Sequence, residues 1–207
     1  MIWLGCYIAA LVMNGIWLWK GDALCVEAQL LIPVLSVLLA GIGVYLRTRT
    51  MTGKARRSCY RQALGFLLVY YLIIAGKLLL FGGLFHLDRG WGGAVNLEPF
   101  YSVRRFIIHY QRTGSLASLS NLLGNVLILT PLGVLLPVLY RPMRRFWLFV
   151  PLMALVAVGV EALQWRTGLG VADVDDSILN FCGVVISYIV TRLVQIVCGF
   201  IKKRQGK

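Results

Sequence analysis

Three polar sets interrupt an otherwise apolar chain, each at a spacing that gathers its side chains on one helix face. Asn121 and Asn125 are four apart, Glu161 and Gln164 are three apart, and Asp173, Asp176, Asn180 and Gly183 follow at intervals of three, four and three. Residues three or four apart are neighbours on a helix, so the last series forms one stripe if its helix begins by Asp173. Carboxylates mixed with primary amides support two kinds of chemistry. As hydrogen-bonding groups they suit sugar hydroxyls and peptide ammonium groups. As oxygen ligands, Glu161, Asp173 and Asp176, with Asn121 or Asn125 beside them, suit a hard divalent cation such as magnesium, which would neutralise a lipid phosphate and activate water. In that enzyme reading the three carboxylates are both catalytic residues and metal ligands. No Ser, His and Asp constellation points to covalent hydrolysis, and neither His86 nor His109 belongs to a ligand pair.

The elements that carry these groups must be built for lipid. Hydrophobic residues make up 59% of the 207 and charged residues 14%, with a mean hydropathy of +0.78. Soluble domains run at about 45–50% apolar and about 25% charged. A membrane-spanning helix needs roughly 20 apolar residues, and the apolar runs predict helices near 2–19, 23–46, 63–85, 119–140, 146–164 and 177–200. The expected class is an all-α integral membrane protein with six transmembrane helices. Glu27 and Gln29, near the start of the second, are expected at the interface or facing inward. The five cysteines form no CxxC pair and read as small apolar fillers.

Charge sets the expected direction. Six bases (Arg47, Arg49, Lys54, Arg56, Arg57, Arg61) fall in one connection, three (Arg141, Arg144, Arg145) in another, and five (Arg192, Lys202, Lys203, Arg204, Lys207) near the end. Short basic connections stay on the cytoplasmic side, so the formal charge of +13 reads as topology rather than nucleic-acid binding. Both termini are then cytoplasmic, and residues 1–19, with no basic residue ahead of them, read as a retained first helix rather than a cleaved signal. All eight acids fall on the outward side or in outward helix ends, although acids were not used to set the topology.

The long outward connection, 86–118, is broken by Gly90, Gly92 and Gly93, and Pro99 discourages helix at Glu98. Beyond it Val103, Phe106, Ile107 and Tyr110 recur at helical spacing, with Arg104, Arg105 and Gln111 on other faces. This predicts a short amphipathic helix in the outer interface, or a re-entrant piece packed on the bundle.

Because the polar sets all lie toward outward helix ends, they can converge in one outward-opening pocket, while the inner halves are nearly all apolar. A transporter is expected to carry a site near mid-membrane with broken helices, which makes translocation the weaker reading. Simpler roles compete. Asp173 or Asp175 can cap the last helix, Glu161 can pair with Arg166 or Lys77, and Lys77 can either neutralise a carboxylate or extend to headgroups. Pro131 is expected to bend the fourth helix and Gly133 to relieve packing beside it.

These motifs together resemble the VanZ-like family. The resemblance is carried by Asn96 to Phe100 with Glu98 and Pro99, by Asn121 and Asn125 with Pro131 and Gly133, by Glu161 and Gln164, and by Asp173 and Asp176 with Asn180 and Gly183. It extends over roughly residues 62 to 195. It implies a VanZ-like four-helix core at 62–200, preceded by two helices and a basic loop at 1–61 and followed by a basic tail at 201–207. It also implies a protein of the bacterial cytoplasmic membrane linked to tolerance of lipoglycopeptides such as teicoplanin. The residues then expected to bind are Asn96, Asn121, Asn125, Gln164, Asn180 and Lys77, and the expected partners are membrane lipids and a lipid-linked cell-wall intermediate or lipoglycopeptide. Asp175 is given no function. Binding, metal-assisted catalysis on a lipid-linked phosphate or sugar, and lipid or solute transport all stay open.

Overall fold

In lipid every backbone N–H and C=O must find its partner within the protein, so apolar segments of this length fold as helices. The structure, a computed structural model, describes residues 2–20, 26–80, 95–166 and 172–205, with the side chains of 18–20, 26–30, 80, 117, 118 and 121 outside that description. Its helices are α1 (Ile2–Lys20), α2 (Val26–Thr48), α3 (Gly53–Leu80), α4 (Tyr101–Thr113), α5 (Leu116–Ile128), α6 (Thr130–Leu139), α7 (Phe146–Arg166) and α8 (Val174–Gln205). Two short strands, β1 (Val95–Asn96) and β2 (Ala172–Asp173), pair in parallel with Asn96 opposite Asp173. The Gly-rich stretch with His86, Asp88, Gly90, Gly92 and Gly93 lies outside the described residues, as do the side chains of Glu27 and Gln29.

Among the described residues, five stretches are long and apolar enough to cross a membrane: Leu31–Thr48, Gly53–Leu79, Leu122–Leu139, Phe146–Arg166 and Val174–Gln205. The apolar part of α1, Ile2–Trp17, is shorter. Large apolar side chains such as Trp147, Leu155 and Leu193 are exposed, as lipid-facing positions require.

Three elements differ from the sequence expectation. α3 begins at Gly53 rather than near 63, so Lys54, Arg56, Arg57 and Arg61 are helical rather than in a loop. Lys and Arg are good helix formers whose aliphatic stems extend along a helix end. The expected fourth helix is two: α5 stops at Ile128 and α6 starts at Thr130, because Pro131 has no N–H to donate and its ring crowds the preceding turn. Leu132 N–H donates to the Leu129 carbonyl at 3.0 Å, and the Ile128 carbonyl accepts the Tyr71 hydroxyl instead. Finally, Asp173 belongs to β2, one residue ahead of α8.

The chain divides into two compact units, Met1–Tyr70 and Tyr71–Lys207. In the first, α1 and α2 pack so closely at Gly43 that a Cβ there would meet the Tyr7 ring at 3.1 Å and the Trp3 carbonyl at 3.2 Å. Tyr70 donates to the Asn14 side chain, and the fully buried Thr48 hydroxyl lies 3.0 Å from that of Tyr60. In the second unit α8 is central and packs on α5, α6 and α7. Phe149 stacks on Tyr188 at 4.2 Å, beside buried Met153, Ala157 and Val184. The far end of this unit is tied by Arg144 Nε donating to the Pro137 carbonyl at 2.9 Å and by the Tyr188 hydroxyl donating to the Arg144 carbonyl at 2.8 Å.

Candidate functional site

The start of α8 gathers several of the polar residues that the sequence singled out. Helix periodicity puts Asp176, Asn180 and Gly183 on one face, and that face meets α5. Asn125 donates its amide N–H to Asp176 Oδ1, while a Cβ at Gly183 would overlap the Val126 carbonyl. Asn180 lies between these two contacts along α8, 1% exposed. Among the described residues neither its Nδ2 nor its Oδ1 has a hydrogen-bond partner. A buried amide left unsatisfied costs about 1–3 kcal/mol, which singles this side chain out.

One turn earlier in the chain, Asp173 works chiefly as an organiser. Its Oδ1 accepts the Asp175 N–H at 2.9 Å, capping α8, and the Asn96 amide at 3.1 Å. Its Oδ2 accepts the Ser102 hydroxyl, and its own N–H reaches Glu161 Oε2 at 3.4 Å. Asn96 also lies 3.3 Å from Ser102 Oγ, and its Oδ1 accepts the Glu98 N–H at 3.1 Å. Glu161, 6% exposed, is thereby brought from α7 to the start of α8.

Asp175 is the residue that sequence reasoning passed over. It is 1% exposed, and its carboxylate accepts the backbone N–H groups of Phe100, of Ser102 at 2.8 Å and of Val103 at 3.1 Å. These are N–H groups at the start of α4, which has no side-chain cap of its own. Of the two acids expected to cap, Asp173 caps its own helix and Asp175 caps another. The available signal was the lack of any Ser, Asp or Asn where α4 begins: Phe100 stands there, at a φ of 64°. Ser102 and Tyr71 were also not anticipated.

The expected set is therefore assembled in part. Asn96, Asp173 and Glu161 are joined by hydrogen bonds at the strand pair, Asn125 and Asp176 form a second pair between α5 and α8, and Asn180 lies buried one turn further along α8. Gln164 instead donates to the Leu79 carbonyl at 3.0 Å, tying α7 to the end of α3. Lys77 is half-buried in the last turn of α3. The side chain of Asn121 lies outside the described residues. For the magnesium reading, Asp173 already spends both oxygens on protein donors. Among the described residues no three His, Cys, Asp or Glu side chains are grouped so as to hold a metal ion.

Beneath the cluster the helices close. A Cβ at Gly133 would overlap the Ser187 hydroxyl and crowd the Val184 carbonyl and the Tyr188 N–H. With the contact at Gly183, α8 therefore meets both α5 and α6 at backbone distance.

An apolar helical bundle with a buried amide and carboxylate cluster at one end defines an all-α membrane protein. Residues 66–195, well over half of the chain and inclusive of the whole cluster, match the VanZ/LLP1 family, and the chain belongs to it. No curated protein and no solved structure matches the chain.

Proposed function

We propose that this VanZ-family protein is a binding protein of the bacterial cell envelope, whose cluster at the start of α8 takes a polar group of an envelope lipid or a lipoglycopeptide such as teicoplanin. The observation that carries the reading is the Asn180 amide, buried beside the Asn125–Asp176 pair with both polar atoms unpartnered among the described residues. An amide offers one acceptor and two donors, which suit a hydroxyl or another amide. Apolar helix surfaces around the cluster suit an acyl or polyprenyl tail.

The protein resides in the cytoplasmic membrane with both termini inside, in line with the basic connections. The cluster then faces outward, where envelope intermediates and glycopeptides are met. α4 lies in the outer interface: it has no buried residue, leaves Tyr101, Ile107 and Tyr110 exposed, and carries Arg104, Arg105 and Arg112.

The test is equilibrium binding of labelled teicoplanin and of a polyprenyl phosphate to the protein in lipid nanodiscs. At least one should bind saturably, and Asn180→Leu should weaken it by about tenfold or more, the worth of one well-placed hydrogen bond. Absence of saturable binding of either probe to the wild type rejects the reading.

A further inference from the structure

We propose that Asp175 is the positioning residue of this site: its carboxylate sets where α4, with its three arginines, stands relative to the amide and carboxylate cluster. The inference rests on the binding reading for its purpose, but the geometry stands independently of it.

The first N–H groups of any helix need acceptors from outside the helix. α4 supplies none, because an apolar residue, Phe100, precedes it in the left-handed region. Asp175 accepts three of these N–H groups with its two oxygens, from a different helix and at a sequence distance of up to 75 residues. A carboxylate at a helix N-terminus also complements the helix dipole. Burial holds α4 only in part: Val103, Phe106 and Ile108 are half-buried and the helix packs on α5, but none of its residues is fully buried. The neighbouring links, Ser102 to Asp173 and Asn96 to Asp173, extend the same clasp to the strand pair.

The consequence is functional. Arg104, Arg105 and Arg112 are exposed on α4, with no acid in that helix. Asp175 thereby places a cationic face at a set position beside a hydrogen-bonding cluster. The ligand class this suits is an amphiphile with an anionic headgroup and adjacent hydroxyl or amide groups. Asp175 itself is turned to the start of α4 and acts through that helix.

The test uses spin labels in the full chain in nanodiscs, without ligand. One pair reports α4 against α8, at Ile107 and Ile189, and a control pair reports α6 against α8, at Val134 and Ile189; all three side chains are exposed. In the wild type both distance distributions are narrow. Asp175→Asn keeps the size but turns one acceptor into a donor, so the first should broaden at least twofold in width while the control does not change. Asp175→Glu, which keeps both oxygens, should stay close to wild type. An unchanged first pair in Asp175→Asn overturns the proposal. So does a control pair that broadens equally, which makes the role one of general folding, or an Asp175→Glu variant as broad as Asp175→Asn. Failure of teicoplanin or polyprenyl phosphate to bind would sink the binding reading and leave these distances untouched.

Discussion

Gly133 and Ser187 approach so closely that no side chain fits between α6 and α8: the first carbon of one would overlap the Ser187 hydroxyl. That hydroxyl donates to the Thr130 carbonyl at 2.9 Å, across the interruption between α5 and α6. Small residues at such crossings let backbones meet, which is how helices gain packing energy in lipid. Gly133→Ala should therefore destabilise the protein by about 1–3 kcal/mol through overpacking, and Gly183→Ala by a similar amount. Reversible unfolding in mixed micelles measures both, with Gly159→Ala as the control, because a Cβ there meets nothing within 4 Å.

Replacement of Asn180 by Leu should separate stability from binding. The amide is buried and unpartnered among the described residues, so an apolar side chain of similar size removes a desolvation cost of about 1–3 kcal/mol. The empty protein should be as stable as wild type or more so, while ligand affinity falls. A clear loss of stability with unchanged binding would show that the amide serves the fold.

Charge and shape separate the two chemistries at Glu161. Glu161→Gln keeps size and hydrogen-bonding capacity but removes the charge that a hard cation needs. Under the binding reading the variant should keep teicoplanin or lipid binding within about tenfold of wild type, because the substitution weakens at most one hydrogen bond. Calorimetry with magnesium, manganese and calcium should show no saturable uptake that depends on Glu161. A carboxylate-dependent site for one of these ions would favour the enzyme instead.

Orientation is open to chemical labelling of single cysteines. A cysteine at Glu98, which is exposed, should react with a membrane-impermeant maleimide on intact cells, and one at Lys54, also exposed, should react only after permeabilisation. The opposite pattern reverses the topology and puts the cluster on the cytoplasmic side.

Much of this architecture was legible in the chain. Helical identity follows from apolar runs too long for anything else in lipid, and periodicity alone put Asp176, Asn180 and Gly183 on one face of α8. The Pro131 interruption was also expected, because a missing N–H is a local property, although its outcome as two helices rather than one bent helix was not. What sequence could not supply was partnership. Asp173 looked like a member of the helical stripe, yet it sits in a strand, because it pairs with Asn96, 77 residues away. Asp175 read only as a possible cap of the last helix, and only the placement of α4 shows three N–H groups arriving at its carboxylate. Gln164 shares its spacing with Glu161 but turns to the Leu79 carbonyl. Asn180 is the converse case, a polar residue in the expected place whose lack of partners among the described residues no spacing rule reveals. Local rules decide which groups share a face, since they depend on one helix. Which donor meets which acceptor depends on contacts between helices far apart in the chain, and only the tertiary structure decided that.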